Sequence, residues 1–391
     1  MCKQVMYTFS NLIRTKKKVG TYGHMSDNFD IKSFWTENEV CYEPFSTNKP
    51  RAPLTLIFED HFVTNLVPPE STIRYYADPA YAIEIHKQAN NILENELGKR
   101  FYSDDATYYV KGAFEVRMGS KRIIRESGTP WLETKVENVA DLKKLIHSAE
   151  NWDAKRQGIP DEWKQEKDKL WRNHRKKLLF AHMTNGPATI ACNILGTNNT
   201  CMFMMDEPDL MDAFFAVMAD KYMEFYDVAM LEDIGIVEKN GLSVNDDNCY
   251  IFPPKQYERF CAPFLQKLFD KYAPKPQHLR RQHSDSAMGH LMGILNDLGV
   301  NEVNFGPDIH PLTIRKAMPK AIIHGQVPPF VLRNGSKEEL EEYVKRDFAA
   351  IGGDGGLVVS LAGVVPESTP MQQIRNLMCA VHEYTRYTSG A

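Results

Sequence analysis

The chain lacks the marks of several common protein classes. Its seven cysteines (Cys2, Cys41, Cys192, Cys201, Cys249, Cys261 and Cys379) form no Cys-x-x-Cys pair. Their odd number also argues against a disulfide framework or an all-thiolate zinc site. Most are expected to be small apolar fillers. No Gly-x-Gly-x-x-Gly follows an early strand-like run, which disfavours a dinucleotide-binding sheet. No apolar run approaches the length of a membrane span. There is no basic excess: a net charge of −4 makes nucleic acid and anionic membranes unexpected partners. The first residues turn basic at Lys16-Lys17-Lys18 without the apolar core or cleavage site of a signal peptide, so a cytoplasmic protein is expected.

What is present is an ordinary globular composition, 43% hydrophobic and 25% charged, in 391 residues, enough to bury a large core. Residues 1–50 have few periodic apolar positions. They read as an N-terminal extension with one short helix over Val5 to Arg14, expected to pack on a partner subunit of a homodimer. Residues 51–391 read as one domain. The segment from about 137 to 177 is its most charged part and is expected to form helices riding outside the core.

Short β-type runs recur at residues 54–58, Thr107 to Arg117, Leu178 to Met183, Gly241 to Asn245, His278 to Gln282, Val300 to Phe305, Ala321 to Gly325 and Leu357 to Leu361. Most are followed by helical patterns: Pro79 to Leu97 behind an Asp78 cap, Pro208 to Leu231, Pro254 to Tyr272, Ser286 to Leu298, His310 to Met318, Lys337 to Ala350 and Met371 to Tyr387. Alternation of this kind indicates parallel strands joined by right-handed crossovers. Eight such units fit an α/β fold of the (β/α)8 TIM-barrel type better than an open sheet.

In such a barrel the carboxyl ends of the strands converge on one face, where chemistry collects. The tips offer Glu59, Asp60 and His61, then Arg117, Asn185, Asp246 and Asp247. They continue with His283 and Asp285, Asn304, Gln326 and Ser360. The set is polar and mainly acidic, suited to proton transfer or a metal rather than to a polyphosphate. His283, Asp285 and Asp247 are the candidate catalytic residues. Glu59, His61, Arg117, Asn185, Asp246, Asn304 and Gln326 are the candidate substrate contacts. Each has a structural alternative: Asp246 or Asp247 capping a turn, Asn304 satisfying backbone, Gln326 bonding a neighbouring strand. A histidine two residues before an aspartate at one strand tip is not explained by capping. Gly352-Gly353-Asp354-Gly355-Gly356 reads as a tight structural loop.

From about Tyr76 to Tyr387 the chain resembles the uroporphyrinogen decarboxylase superfamily. The resemblance is carried by Gly186-Pro187-Ala188-Thr189, Asp206-Glu207-Pro208-Asp209-Leu210, Pro263-Phe264-Leu265 and, most specifically, Val364 to Arg375. It implies a (β/α)8 barrel and leaves the reaction open between decarboxylases and corrinoid-dependent methyltransferases. The decarboxylases carry an Arg-Gln-Ala-Gly-Arg motif for porphyrin carboxylates. Here the matching strand runs Leu56-Ile57-Phe58-Glu59-Asp60-His61-Phe62, acidic where that site is basic. The thiol-methylating members bind zinc through a His-x-Cys pair and a later Cys. Those positions here are His283-Ser284-Asp285 and Leu361-Ala362-Gly363, so the resemblance leaves His283 and Asp285, with a carboxylate such as Asp247, as a harder metal site. The branch that fits best resembles the methyltransferases of anaerobic aromatic O-demethylation. That branch implies transfer of a methyl group from a small methoxylated aromatic substrate to the cobalt(I) of a separate corrinoid protein, with zinc as a possible second cofactor. The alternative is a decarboxylase or other lyase acting on a small acid in the same barrel.

Overall fold

The computed structural model describes residues 29–126, 128–180 and 184–387. The expected Val5 to Arg14 helix lies outside these residues. Parallel strands Gly241–Asn245, Leu279–Ser284, Glu302–Phe305, Ile322–His324 and Leu357–Val358 pair in that order as a five-stranded sheet. Ala106–Tyr108 pairs in parallel with Lys177–Leu179. Parallel bridges continue the series at both ends, from Asn185 to Asn245 and from Leu54 to Val359. The staves therefore follow one another around a barrel. Only the seam between residues 54–58 and Ala106–Tyr108 carries no pairing among the described residues.

Alternation along the strands sorts side chains between two faces. Val244, Val303, Ile323 and Leu357 are fully buried under the helices. Asn245, His283, Asn304 and His324 share a register row on the opposite face, toward the barrel axis. The helices close the outside with apolar stripes, such as Phe264, Leu265, Leu268 and Phe269 on Ala262–Tyr272. Their ends follow local chemistry. Asp78 caps Pro79–Leu97 by accepting from the Ala80 and Tyr81 N–H groups, and Gly98 at φ 74° closes it.

Residues 29–50 pack on the chain's own barrel. The helix Ile31–Val40 buries Phe34 and Trp35, and the Trp35 Nε1 donates to the Leu97 carbonyl at 2.6 Å. The charged segment forms Val139–Glu150, Ala154–Gln157 and Asp161–His174. Trp163 of the last of these is fully buried, edge-on to Phe180 at 5.4 Å. The glycine-rich loop before the last strand is a turn in which Gly355 takes φ 76°.

Three expected elements are corrected. The run from Thr107 to Arg117 is strand only over Ala106–Tyr108. It then turns through Val110–Gly112 into the short helix Phe114–Arg117. Gly112 allows this turn, because a Cβ there would stand 2.3 Å from the Phe180 carbonyl oxygen. The Pro254 to Tyr272 helix widens to a π-type turn over Tyr257–Cys261, just before Pro263 removes a backbone donor. The helix after His283 is regular only over Met292–Asp297, preceded by a single tight turn at Gly289–Leu291. Among the described residues, no helix is long and apolar enough to cross a membrane.

Candidate active site

The site is assembled by the pairing of two neighbouring strands. Register places Asn245 beside His283, so the residues just beyond, Asp247 and Asp285, meet at adjacent tips. The Asp285 N–H donates to Asp247 Oδ1 at 3.2 Å. His283 Nε2 lies 3.8 Å from the same carboxylate, too long for a direct hydrogen bond. One ligand atom from each of Asp247, His283 and Asp285 lies within 4.8 Å of the others.

The orientation of His283 is set from behind. Asn304 is fully buried, and its Nδ2 donates to the carbonyls of His324 (2.7 Å) and Leu361 (2.9 Å). Its Oδ1 is thereby left as an acceptor 2.7 Å from His283 Nδ1. That network assigns the proton of a neutral imidazole to Nδ1 and turns the Nε2 lone pair toward the two carboxylates.

Burial and mutual proximity act on the carboxyls of this site. Burial, then the neighbouring Asp285, pushes the Asp247 carboxyl above its ordinary value. Glu59, at the tip of the first stave, is raised by burial and by Asp60, with Asp285 adding to the same effect and His61 and His283 opposing it. Glu59 thus stands near the same cluster, whereas Asp60 and His61 lie on the helix Asp60–Leu66 that follows it. Three carboxylates around one imidazole can be reconciled by a shared proton or by a divalent cation. The donor set of one nitrogen and carboxylate oxygens fits zinc or a harder metal.

The remaining expected contacts are placed elsewhere. Asp246 is fully buried, and its Oδ1 accepts from the Thr189 N–H at 2.7 Å, at the start of the helix Pro187–Leu195. It caps that helix in place of Gly186, where a Cβ would come within 2.4 Å of the Asp246 side chain. Asn185 donates to Glu115 Oε1 at 2.6 Å, and Asn193 donates to the same buried carboxylate at 3.0 Å. Gln326 is fully buried; its N–H donates to Asp347 at 2.6 Å, and its side-chain amide has no partner among the described residues. Arg117 is corrected outright. It sits on a helix rather than at a strand tip, and its guanidinium donates to the Lys111 carbonyl, with the Glu162 carboxylate as a nearby opposite charge. Glu115, inside the fold beside Asn185, gave no signal in the sequence because it follows no strand.

Residues 79–384 match the family described as uroporphyrinogen decarboxylase (URO-D). The chain belongs to the uroporphyrinogen decarboxylase family. Among solved structures it is similar to a methyltransferase from Methanosarcina mazei, with TM-score 0.61 and 14% identity over 91% of this chain and 99% of that one. At that identity the likeness bears on the fold alone, and it agrees with the (β/α)8 order of the staves. No curated protein matches the chain. Within this uroporphyrinogen decarboxylase barrel, the Leu361-Ala362-Gly363 stretch stands beside the cluster. A Cβ on Gly363 would lie 3.9 Å from Asp285 Oδ2, so two segments distant in sequence face one site.

Proposed function

We propose that the chain is a methyltransferase that takes a methyl group from a small methoxylated aromatic compound and passes it to the cobalt(I) of a separate corrinoid protein. The supporting observation is the Asp247–His283–Asp285 cluster at the barrel mouth, with His283 held by Asn304. An aryl methyl ether loses its methyl group only if the departing oxygen is stabilised. Asp247, with its raised carboxyl, can hold a proton at that place, and His283 presents a nitrogen to the same point. Alternatively, Asp247, His283 and Asp285 would hold a zinc ion, which when bound supplies Lewis acidity to the ether oxygen. The corrinoid, carried by its own protein, supplies the nucleophile for the methyl carbon. Asp285 is exposed and the Asp247 side chain is half exposed, which leaves the cluster reachable from outside. The same acidic mouth is unsuited to a substrate bearing several carboxylates, which argues against a porphyrin.

The test mixes the purified protein with a cobalt(I) corrinoid protein and a panel of methoxyaromatics. The expected result is loss of the cobalt(I) absorbance with an equal amount of demethylated phenol. Methanol released with no corrinoid present, or no turnover across the panel, overturns the reading.

A further inference from the structure

A cavity of about 100 Å³ is lined by Asp60, by Tyr75, Tyr76 and His86 on the helices that follow, and by Thr107 to Lys111. It therefore lies at the seam where the barrel lacks strand pairing. None of Asp247, His283 and Asp285 lines it. Its wall is aromatic. Tyr75 and Tyr76 meet edge to face at 4.9 Å, Tyr109 adds to the lining, and the exposed Tyr108 stands at the rim.

The polar groups leave this aromatic space with a negative charge. The Tyr75 hydroxyl donates to Asp60 Oδ1 at 3.1 Å and lies 2.8 Å from His86 Nε2. With the phenol proton given to Asp60, His86 donates to the Tyr75 oxygen. Burial holds His86 below the ordinary imidazole value, so its ring brings no positive charge. Lys111 and Glu166, also in the lining, offset one another. Asp60 has no ion pair among the described residues.

We propose that this cavity binds a compact organic cation of the methylated-ammonium class, held by the Asp60 carboxylate and the surrounding tyrosine rings. Such a cation is large, weakly hydrated and unable to form strong hydrogen bonds. Aromatic walls with one carboxylate therefore favour it over small, tightly hydrated ions. The proposal stands apart from methyl transfer at the His283 cluster, since it concerns a different cavity and needs no corrinoid.

The test is calorimetric titration of the full chain with tetramethylammonium, with tert-butanol as a neutral probe of similar shape and potassium as a simple cation. Saturable binding of tetramethylammonium is expected, with tert-butanol and Asp60→Asn each weaker by about tenfold or more once the charge pair is lost. Tyr108→Leu, at the exposed rim, should weaken binding about two- to fivefold. Thermal unfolding of each variant checks the fold, and Tyr108→Leu decides the matter if Asp60→Asn does not fold. Absence of saturable binding overturns the proposal, as does equal affinity for tert-butanol or potassium, or an unchanged affinity in Tyr108→Leu.

Discussion

Replacing Asn304 by Leu tests whether His283 is oriented from behind. The substitution roughly keeps the volume and leaves three groups without partners: the carbonyls of His324 and Leu361 and the Nδ1–H of His283. An unsatisfied buried polar group costs about 1–3 kcal/mol. Partial relaxation of the site should bring the total to about 3–5 kcal/mol. Urea unfolding reads this as a lower midpoint with an unchanged slope. The second consequence is specific to the site. Losing the hydrogen bond that aims a ligating imidazole typically weakens metal binding about 10- to 100-fold. Zinc affinity, measured by competition with a chromophoric chelator, should fall by that factor. Asn304→Asp separates the two effects, because it keeps an acceptor for His283 while setting a carboxylate against two carbonyls. It should lose stability and retain more of the zinc affinity than Asn304→Leu. Wild-type zinc affinity in Asn304→Leu would refute the orientation argument, and a stability loss under about 1 kcal/mol would refute the hydrogen-bond accounting.

Two further outcomes follow from the same geometry. His283→Ala should lower methyl-transfer turnover by about two orders of magnitude or more, the usual scale for disabling general-acid catalysis, because the proton on Asp247, or a metal in its place, loses the Nε2 beside it. Its urea midpoint should fall by the equivalent of about 1–3 kcal/mol, since the buried Asn304 Oδ1 loses its partner; near-normal turnover would make the cluster structural. Asp246 predicts a pH dependence of stability. Burial pushes its carboxyl up to about 7 from the ordinary 3.8. The folded chain thus keeps a proton that the unfolded chain loses near pH 4, so its contribution to stability falls as pH rises between about 4 and 7 and is flat above. Asp246→Asn should abolish that slope and gain up to about 4 kcal/mol at pH 8. Parallel stability curves for wild type and variant across this range would contradict the argument.

The sequence by itself determined the alternation of strand and helix, because apolar runs, caps such as Asp78-Pro79 and chain-closing glycines act within a few residues. It also determined that His283 and Asp285 stand together at one strand tip, since they are joined by a single residue. What joins Asp247 to them is register between two strands, a matter of parallel pairing across about forty residues of intervening chain. Asp246 and Asp247 are neighbours in sequence, yet one is buried under a helix and the other faces the mouth. Successive residues point to opposite sides, and only the packed barrel decides which side is which. Asn304 reads as one more polar tip residue until its amide is seen between two carbonyls and an imidazole. Arg117 left its expected place because Gly112 fits against the Phe180 carbonyl, a contact that exists only after the chain has folded back on itself. The cavity beside Asp60 has the same origin: it lies where two staves fail to pair, and failure to pair is a property of tertiary structure.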